Sequence, residues 1–134
     1  MSIKVSPVTP VKKFLLRSDP SEDTWVMIKP ITYRDDMLRG EVLREQEWAS
    51  TMSGEAKSSG LNMYRLRAEE LWITYHSAHI VIEDEDGNTR EPFKPRGEMT
   101  RQAFMDALAD LPTNVVLEWH EKMVEVNPDW RFPF

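Results

Sequence analysis

Residues 61–82 read LNMYRLRAEELWITYHSAHIVI, and they contain the clearest helical pattern of the chain. Apolar and aromatic side chains recur in its first part at intervals of three and four residues, which is the period of an amphipathic helix. The apolar face of this predicted helix carries Leu61, Tyr64, Ala68, Leu71, Trp72 and Tyr75, and the remaining faces carry Arg65, Arg67, Glu69 and Glu70. The helix then passes into a short β-branched run at 80–82.

Two short runs near the N-terminus predict an antiparallel β-hairpin. Residues 11–16 (VKKFLL) and 24–29 (TWVMIK) are separated by a polar turn, and the second run is rich in β-branched and aromatic residues. Pro30 ends the second strand, because proline cannot donate a hydrogen bond to a neighbouring strand. The residues before this hairpin, 1–10, are expected to form a flexible arm.

A second helix is expected to begin at Thr32. Asp35 follows three residues later, so the pair forms a capping box in which each side chain accepts a hydrogen bond from the other's backbone amide. Apolar residues recur at helical spacing up to about Trp48. The segment 50–60 (STMSGEAKSSG) is small, polar and without periodicity, and it is predicted to be a flexible loop.

The C-terminal half predicts a short hairpin and two more helices. The acidic residues 83–86 precede an Asp-Gly-type turn signal at Gly87, and Pro92 restricts the return segment to an edge. Thr100 is expected to cap a short helix and Thr113 a final one, which carries Val115, Val116, Trp119, Met123 and Val126. The predicted fold class is α+β, mainly helical with about four helices, an N-terminal antiparallel hairpin and a second short hairpin, in a single domain of residues 1–134 with a C-terminal tail at 128–134.

Composition excludes several classes of function. Lys and Arg total 17 against 23 Asp and Glu, giving a net charge of −6, which disfavours binding to nucleic acid. The absence of cysteine excludes disulfides and thiolate chemistry. The N-terminal residues lack the apolar core of a signal peptide, and no apolar run reaches the roughly 20 residues that span a bilayer. We therefore expect a cytoplasmic protein that does not enter membranes.

The sequence contains no complete pattern of a catalytic or metal site. His76 and His79 are three residues apart on the predicted helix and could share a metal, but a zinc site needs three or four ligands and His120 is distant in sequence. An EF-hand reading of the acidic segment fails, because the residues at its sixth and twelfth positions are Thr89 and Pro95. No phosphate-binding loop or nucleophile motif is present. The sequence therefore predicts no enzyme and no cofactor, with a metal enzyme built on the two histidines as the weakest hypothesis.

The order of these motifs resembles the tail assembly chaperones of long-tailed, siphovirus-like bacteriophages over roughly residues 11–130. The motifs that carry the resemblance are a strand followed by Lys-Pro-Ile-Thr and a helix (25–32, WVMIKPIT), an aromatic helix (71–75, LWITY), an acidic turn (80–88, IVIEDEDGN), the segment 92–95 (PFKP), a helix pair divided by Leu111-Pro112, and an ending at Val126-Asn127-Pro128. They are turn, cap and core residues, with no chemical signature among them.

The resemblance implies a non-structural protein of the infected cell's cytoplasm that binds the tape measure protein and the tail tube subunit and is absent from the virion. Many proteins of this kind also have a longer form made by translational frameshifting. The contact residues predicted from their position beside the loop and at the C-terminus are Trp48, Met52, Met63, Trp130 and Phe132. Exposed apolar helices also allow a homo-oligomer. A small acidic inhibitor or nucleic-acid mimic, acting on a host defence protein through residues 83–86, is the alternative.

Overall fold

The computed structural model describes residues 11–18, 23–52 and 63–131, with residues 46–52 described by their backbone only. Its regular elements are β1 (Lys12–Leu15), β2 (Trp25–Ile28), α1 (Tyr33–Met52), α2 (Met63–Ile73), β3 (Tyr75–His79), β4 (Ile82–Glu83), β5 (Thr89–Arg90), α3 (Arg101–Ala109) and α4 (Thr113–Val126). Two short 3-10 turns, Arg96–Glu98 and Pro128–Trp130, precede α3 and follow α4. Four helices, a three-stranded antiparallel sheet and a separate hairpin confirm the predicted α+β class.

A third strand, β3, extends the N-terminal hairpin, and the sequence analysis did not predict it. β1 pairs with β2 as predicted, with Phe14 opposite Val26, and β3 then adds to the other side of β2 with Ala78 opposite Val26. The prediction that Tyr75 and the residues after it continue the helix is therefore wrong. Pairing with β2 satisfies the backbone groups of β3, which gives this segment an alternative to the helix that spacing alone cannot indicate.

The junction between α2 and β3 is a single residue, Thr74. Its hydroxyl donates a hydrogen bond to the carbonyl of Glu70 (2.9 Å). The guanidinium of Arg96 lies over the Trp72 ring, 4.2 Å from its centre, and donates to the carbonyl oxygens of Trp72 and Tyr75. The last carbonyl groups of α2 thus find a cationic donor where many helices use a glycine turn.

The start of α1 follows the predicted capping box. The Thr32 amide donates to Asp35 Oδ2 (2.9 Å), and the Asp35 amide donates to Thr32 Oγ1 (3.3 Å). The helix continues to Met52, so the prediction of a loop is wrong for residues 50–52, while 53–60 lie outside the described residues. Extending an existing helix costs far less than starting one, which allows it to continue through residues of modest propensity.

The buried face of α2 differs from the predicted stripe. Leu66, Leu71 and Ile73 are buried, but Tyr64 is 79 % exposed. Two of the charged residues assigned to the remaining faces are also buried, Glu69 at 5 % and Glu70 at 1 % exposure. Because α2 contacts α1, α3 and α4, it buries more of its circumference than a helix with one apolar face.

A buried charge cluster joins three helices. The Glu70 carboxylate of α2 accepts a hydrogen bond from Arg39 Nε of α1 (2.6 Å), and its other oxygen lies 2.9 Å from His120 Nε2 of α4. Glu69 forms a second ion pair with Arg101, the first residue of α3. Ionised groups are costly to remove from water unless they are paired, so these contacts determine how the helices meet.

The segment after α4 packs into the body of the protein, which corrects the predicted C-terminal tail for residues 128–130. Trp130 is 1 % exposed, and its indole N–H donates to Asp36 Oδ1 (2.7 Å). The guanidinium of Arg39 covers the same ring, 5.2 Å from its centre. The turn Pro128–Trp130 therefore closes the fold against α1, and residues 132–134 lie outside the described residues.

The core forms where the sheet meets α3 and α4. Four aromatic rings, those of Tyr75, Phe93, Phe104 and Trp119, pack with centre-to-centre distances of 4.9–6.3 Å.

The hydroxyl of Thr100 accepts a hydrogen bond from the Ala103 amide, which confirms the predicted cap of α3.

The predicted start of α4 differs from the structure, whereas the predicted second hairpin agrees with it. Thr113 is the first residue of α4 and Pro112 occupies the cap position without a side-chain hydrogen bond, so the Thr113 cap prediction is wrong. Proline suits a helix start, since its missing N–H and restricted φ cost nothing there. The β4–β5 hairpin is confirmed, and Gly87 takes a φ of 81° in its turn.

Glu118 of α4 holds the end of β1. Its carboxylate accepts hydrogen bonds from the Arg17 amide (2.9 Å), the Ser18 amide (2.8 Å) and the Ser18 hydroxyl (2.6 Å). Partial burial raises the pKa of Glu118, but these hydrogen bonds and the nearby Lys122 lower it more, so the net pKa lies below its usual value.

Neutralising Glu70 is expected to destabilise the protein strongly. Glu70→Gln removes the charge that faces the Arg39 guanidinium, whose side chain is only 16 % exposed. Breaking a buried ion pair from one side costs about 3 kcal/mol or more. Urea unfolding at pH 7 is the measurement. The control, Glu121→Gln at an exposed position of α4, is expected to change stability by less than about 0.5 kcal/mol; equal effects of the two variants would contradict the role of Glu70.

Glu118 is expected to make stability depend on pH. A carboxyl group whose pKa is lower in the folded than in the unfolded chain stabilises the fold above its unfolded pKa of about 4.3, and this contribution disappears as the pH falls. At pH 7 the free energy of unfolding of the wild type is therefore expected to exceed that of Glu118→Gln by about 1 kcal/mol, allowing for solvent screening. Urea titrations between pH 7 and pH 3 measure this difference. A difference that does not decrease over this pH range would refute the prediction.

Candidate protein-binding groove

An open apolar groove of about 270 Å³ lies between α2, α3 and α4, and we call it the helical groove. Leu108 forms part of its floor and is 6 % exposed, whereas Tyr64 and Leu117 on its rim are 79 % and 45 % exposed. The complete lining consists of Tyr64, Arg67, Ala68, Met105, Leu108, Ala109, Leu111, Thr113, Val116 and Leu117. Exposed apolar side chains around a concave surface are typical of a site that receives another apolar group.

The groove exists because small side chains stand where larger ones could fill it. Ala68 on α2 and Ala109 at the end of α3 face this space and leave it open. Pro112 ends the short α3–α4 connection and occupies the cap position of α4, and Leu111 beside it lines the groove. A volume of this size exceeds the cavity of about 150 Å³ that accommodates benzene, and it corresponds to roughly two aliphatic side chains.

Arg67 is the one charged residue that lines the groove in the described part of the chain. Its guanidinium carbon lies 6.0 Å from the centre of the Tyr64 ring, at the outer limit for a cation–π contact. Its Nε atom is buried and has no hydrogen-bond partner among the described residues. The groove therefore combines apolar walls with one cationic side chain.

A second cavity, of about 360 Å³, lies between β4, the end of β1 and the α3–α4 turn. Its walls mix apolar residues such as Ile80 and Val115 with polar ones such as Ser18, Asn114 and Asp110. Ser18 is already bound to Glu118 and to the Asn114 carbonyl. The helical groove offers the more continuous apolar surface of the two.

The structure places the predicted contact residues apart from one another. Met63 begins α2, is 38 % exposed and immediately precedes Tyr64 on the groove rim. The prediction of Trp130 as a partner contact is wrong, because this side chain is buried against Asp36 and Arg39. Trp48 and Met52 belong to the part of α1 described by backbone only, and Phe132 lies outside the described residues, so these three stay predictions.

Sequence reasoning missed the groove itself. Leu117 was the available signal, because it is an apolar residue of α4 that does not belong to the buried stripe of Val115, Trp119 and Met123. Tyr64 was assigned to the buried stripe of α2 and instead stands on the rim. The groove depends on the relative placement of three helices, which periodicity within each helix does not determine.

The three histidines lie in separate surroundings. His76 and His79 are on β3, so their predicted helical pairing is wrong; His76 Nδ1 lies 2.9 Å from the Ser77 hydroxyl, and His79 Nδ1 lies 3.0 Å from Glu91. His120 contacts Glu70 in the buried cluster. Within residues 11–18, 23–52 and 63–131, no group of three or more potential metal ligands converges.

The acidic segment forms the turn of the β4–β5 hairpin. Asp84 Oδ1 accepts hydrogen bonds from the amides of Asp86 and Asn88, both at 2.9 Å. Asp84 therefore organises the turn, which accounts for one of the four acidic residues by local geometry. The inhibitor or nucleic-acid-mimic function assigned to these residues stays a prediction.

Comparisons with protein-family models, with curated proteins and with solved structures found no match. In the described residues, no helix combines the length and the apolar character needed to cross a lipid bilayer. The groove and the resemblance noted above are therefore the observations on which a functional proposal rests.

Charging the groove rim is expected to leave the fold intact. Leu117 is 45 % exposed, so Leu117→Glu should change the free energy of unfolding by less than about 0.5 kcal/mol. Leu108 on the floor is 6 % exposed, and Leu108→Ala should cost about 2 kcal/mol or more. Urea unfolding of both variants is the measurement, and a large loss for Leu117→Glu would show that the rim belongs to the core.

Proposed function

We propose that this protein is a phage tail assembly chaperone that binds the tape measure protein and the tail tube subunit and keeps them soluble during tail morphogenesis. The observation that carries the proposal is the helical groove, which presents the apolar side chains of Leu117 and Met105 beside an exposed Tyr64. The resemblance of residues 11–130 to such chaperones supplies the class of partner. As a chaperone of this kind, the protein would act in the cytoplasm of the infected cell and be absent from the virion.

The proposed occupant of the groove is a helix of the tape measure protein. A long helical protein with an apolar face aggregates unless that face is covered, and a groove that accepts apolar side chains one turn apart can cover it. About two aliphatic side chains fit the volume of the helical groove. These correspond to anchor residues at positions i and i+3 or i+4 of a bound helix.

The charge of the protein supports this role. A net charge of −6 favours solubility of the chaperone and of a complex in which it covers an apolar partner. Binding through a small groove also suits temporary association, because a limited apolar contact releases its partner more readily than an extensive one.

Co-expression with a candidate tape measure protein tests the proposal. If the gene lies in a phage or prophage, the candidate is the product of a very long helical reading frame that follows it, after a tail tube gene. The wild-type protein is expected to raise the soluble fraction of this partner at least several-fold and to co-purify with it.

Two variants make the same experiment specific for the groove. Leu117→Glu places a charge on the groove rim and is expected to abolish co-purification. Met37→Glu is the matched control, because Met37 is a similarly exposed apolar residue (56 %) on α1, outside the groove, and this variant should behave as the wild type. An unchanged partner solubility with the wild type would refute the chaperone function; equal behaviour of both variants would refute the groove as its site.

A further inference from the structure

Arg67 distinguishes the helical groove from a purely apolar one. The residue lines the groove, and its buried Nε atom has no hydrogen-bond partner in the described ranges. A guanidinium presents its donors in a fixed planar arrangement that matches a carboxylate. The Nε atom itself is covered, so a ligand carboxylate would meet the terminal amino groups of the guanidinium, a cation for which the described residues supply no ion-pair partner.

The carboxylates on the same helix are engaged elsewhere. Glu70 lies three residues beyond Arg67 but contacts Arg39 and His120, and Glu69 is paired with Arg101. Another arginine of α2, Arg65, already has a carboxylate partner, Glu45 of α1, at 3.2 Å. Arg67 is thus the arginine of this helix for which the described residues provide no carboxylate.

We propose that the groove selects amphipathic helices that carry a carboxylate beside their apolar stripe, with Arg67 as the residue that determines this specificity. The inference rests on the proposed function, because it names the kind of helix that the groove accepts. The apolar anchors enter between Leu108 and Leu117, and an Asp or Glu near them meets the Arg67 guanidinium. Around the groove the bound helix excludes water, which strengthens the interaction between the two charges.

Two synthetic peptides of identical composition test the inference with the full-length protein. Both form a helix with the same leucine stripe; in one the glutamates flank the stripe, and in the other they lie on the opposite face. Because the peptides have equal net charge, general repulsion by the acidic protein affects both equally. Fluorescence anisotropy of the labelled peptides measures the affinities. The wild type is expected to bind the flanking-glutamate peptide about tenfold more tightly, as one charge-assisted hydrogen bond provides.

The variants separate the charge of Arg67 from its position. Arg67→Met keeps an apolar stem, and it should abolish the preference, so that the ratio of the two peptide affinities falls to about one. The melting temperature should not decrease, because the substitution removes a buried donor that has no acceptor among the described residues. Arg67→Glu should favour a third peptide in which lysines flank the stripe. Arg65→Met is the matched control on the same helix and should keep the tenfold preference.

Several results would overturn the inference. A preference that survives Arg67→Met would do so, as would an equal loss in Arg65→Met. A lowered melting temperature of Arg67→Met would show that Arg67 already has a partner within the chain. A dimer that dissociates on Leu117→Glu would identify a second copy as the occupant.

The proposed groove and its charge preference can fail separately. If Leu117→Glu weakens both peptides while neither Arg67 variant changes their ratio, the groove stands and the preference is wrong. If Leu117→Glu weakens neither peptide, or if neither peptide binds the wild type, both the groove and the preference are wrong.

Discussion

The buried carboxylate of Glu70 is the contact on which the helical layer depends. It brings a full charge into a position that is 1 % exposed, and the cost of that burial is offset by Arg39 from α1 and His120 from α4. Arg39 also covers the ring of Trp130, so the same group that neutralises Glu70 closes the turn after α4. The side chains of Arg39 and His120 have to lie in defined positions, because displacing one partner of a buried charge costs more free energy than displacing an apolar contact.

Features that depend on near neighbours in sequence could be predicted. The capping box of Thr32 and Asp35, the first hairpin, the turn at Gly87 and the cap at Thr100 all agree with the structure, since each forms within one short continuous stretch of the chain. Apart from the cap of α4, where Pro112 takes the place predicted for Thr113, the main errors concern long-range partners. Glu69 and Glu70 read as residues of a polar face, and only the approach of Arg101, Arg39 and His120 makes their burial favourable.

The candidate site could not be predicted for a related reason. A groove is space that side chains leave unfilled, and its presence follows from how α2, α3 and α4 are spaced around Ala68 and Ala109. Trp130 and Phe132 are large apolar residues near the end of the sequence, yet Trp130 belongs to the core. Large aromatic residues signal both cores and interfaces, and sequence alone does not separate the two uses.

The one-residue junction between α2 and β3 has a mechanical consequence for the groove. Thr74 ties back to Glu70, and Arg96 joins carbonyl groups on both sides of it, so no slack separates the helix from the strand. β3 in turn is hydrogen-bonded along β2. The position of α2, which forms one wall of the helical groove, is therefore fixed relative to the sheet. On the opposite side, α4 is tied to the end of β1 through Glu118 and to α2 through His120, so the spacing of these two walls is fixed by the fold before a partner binds.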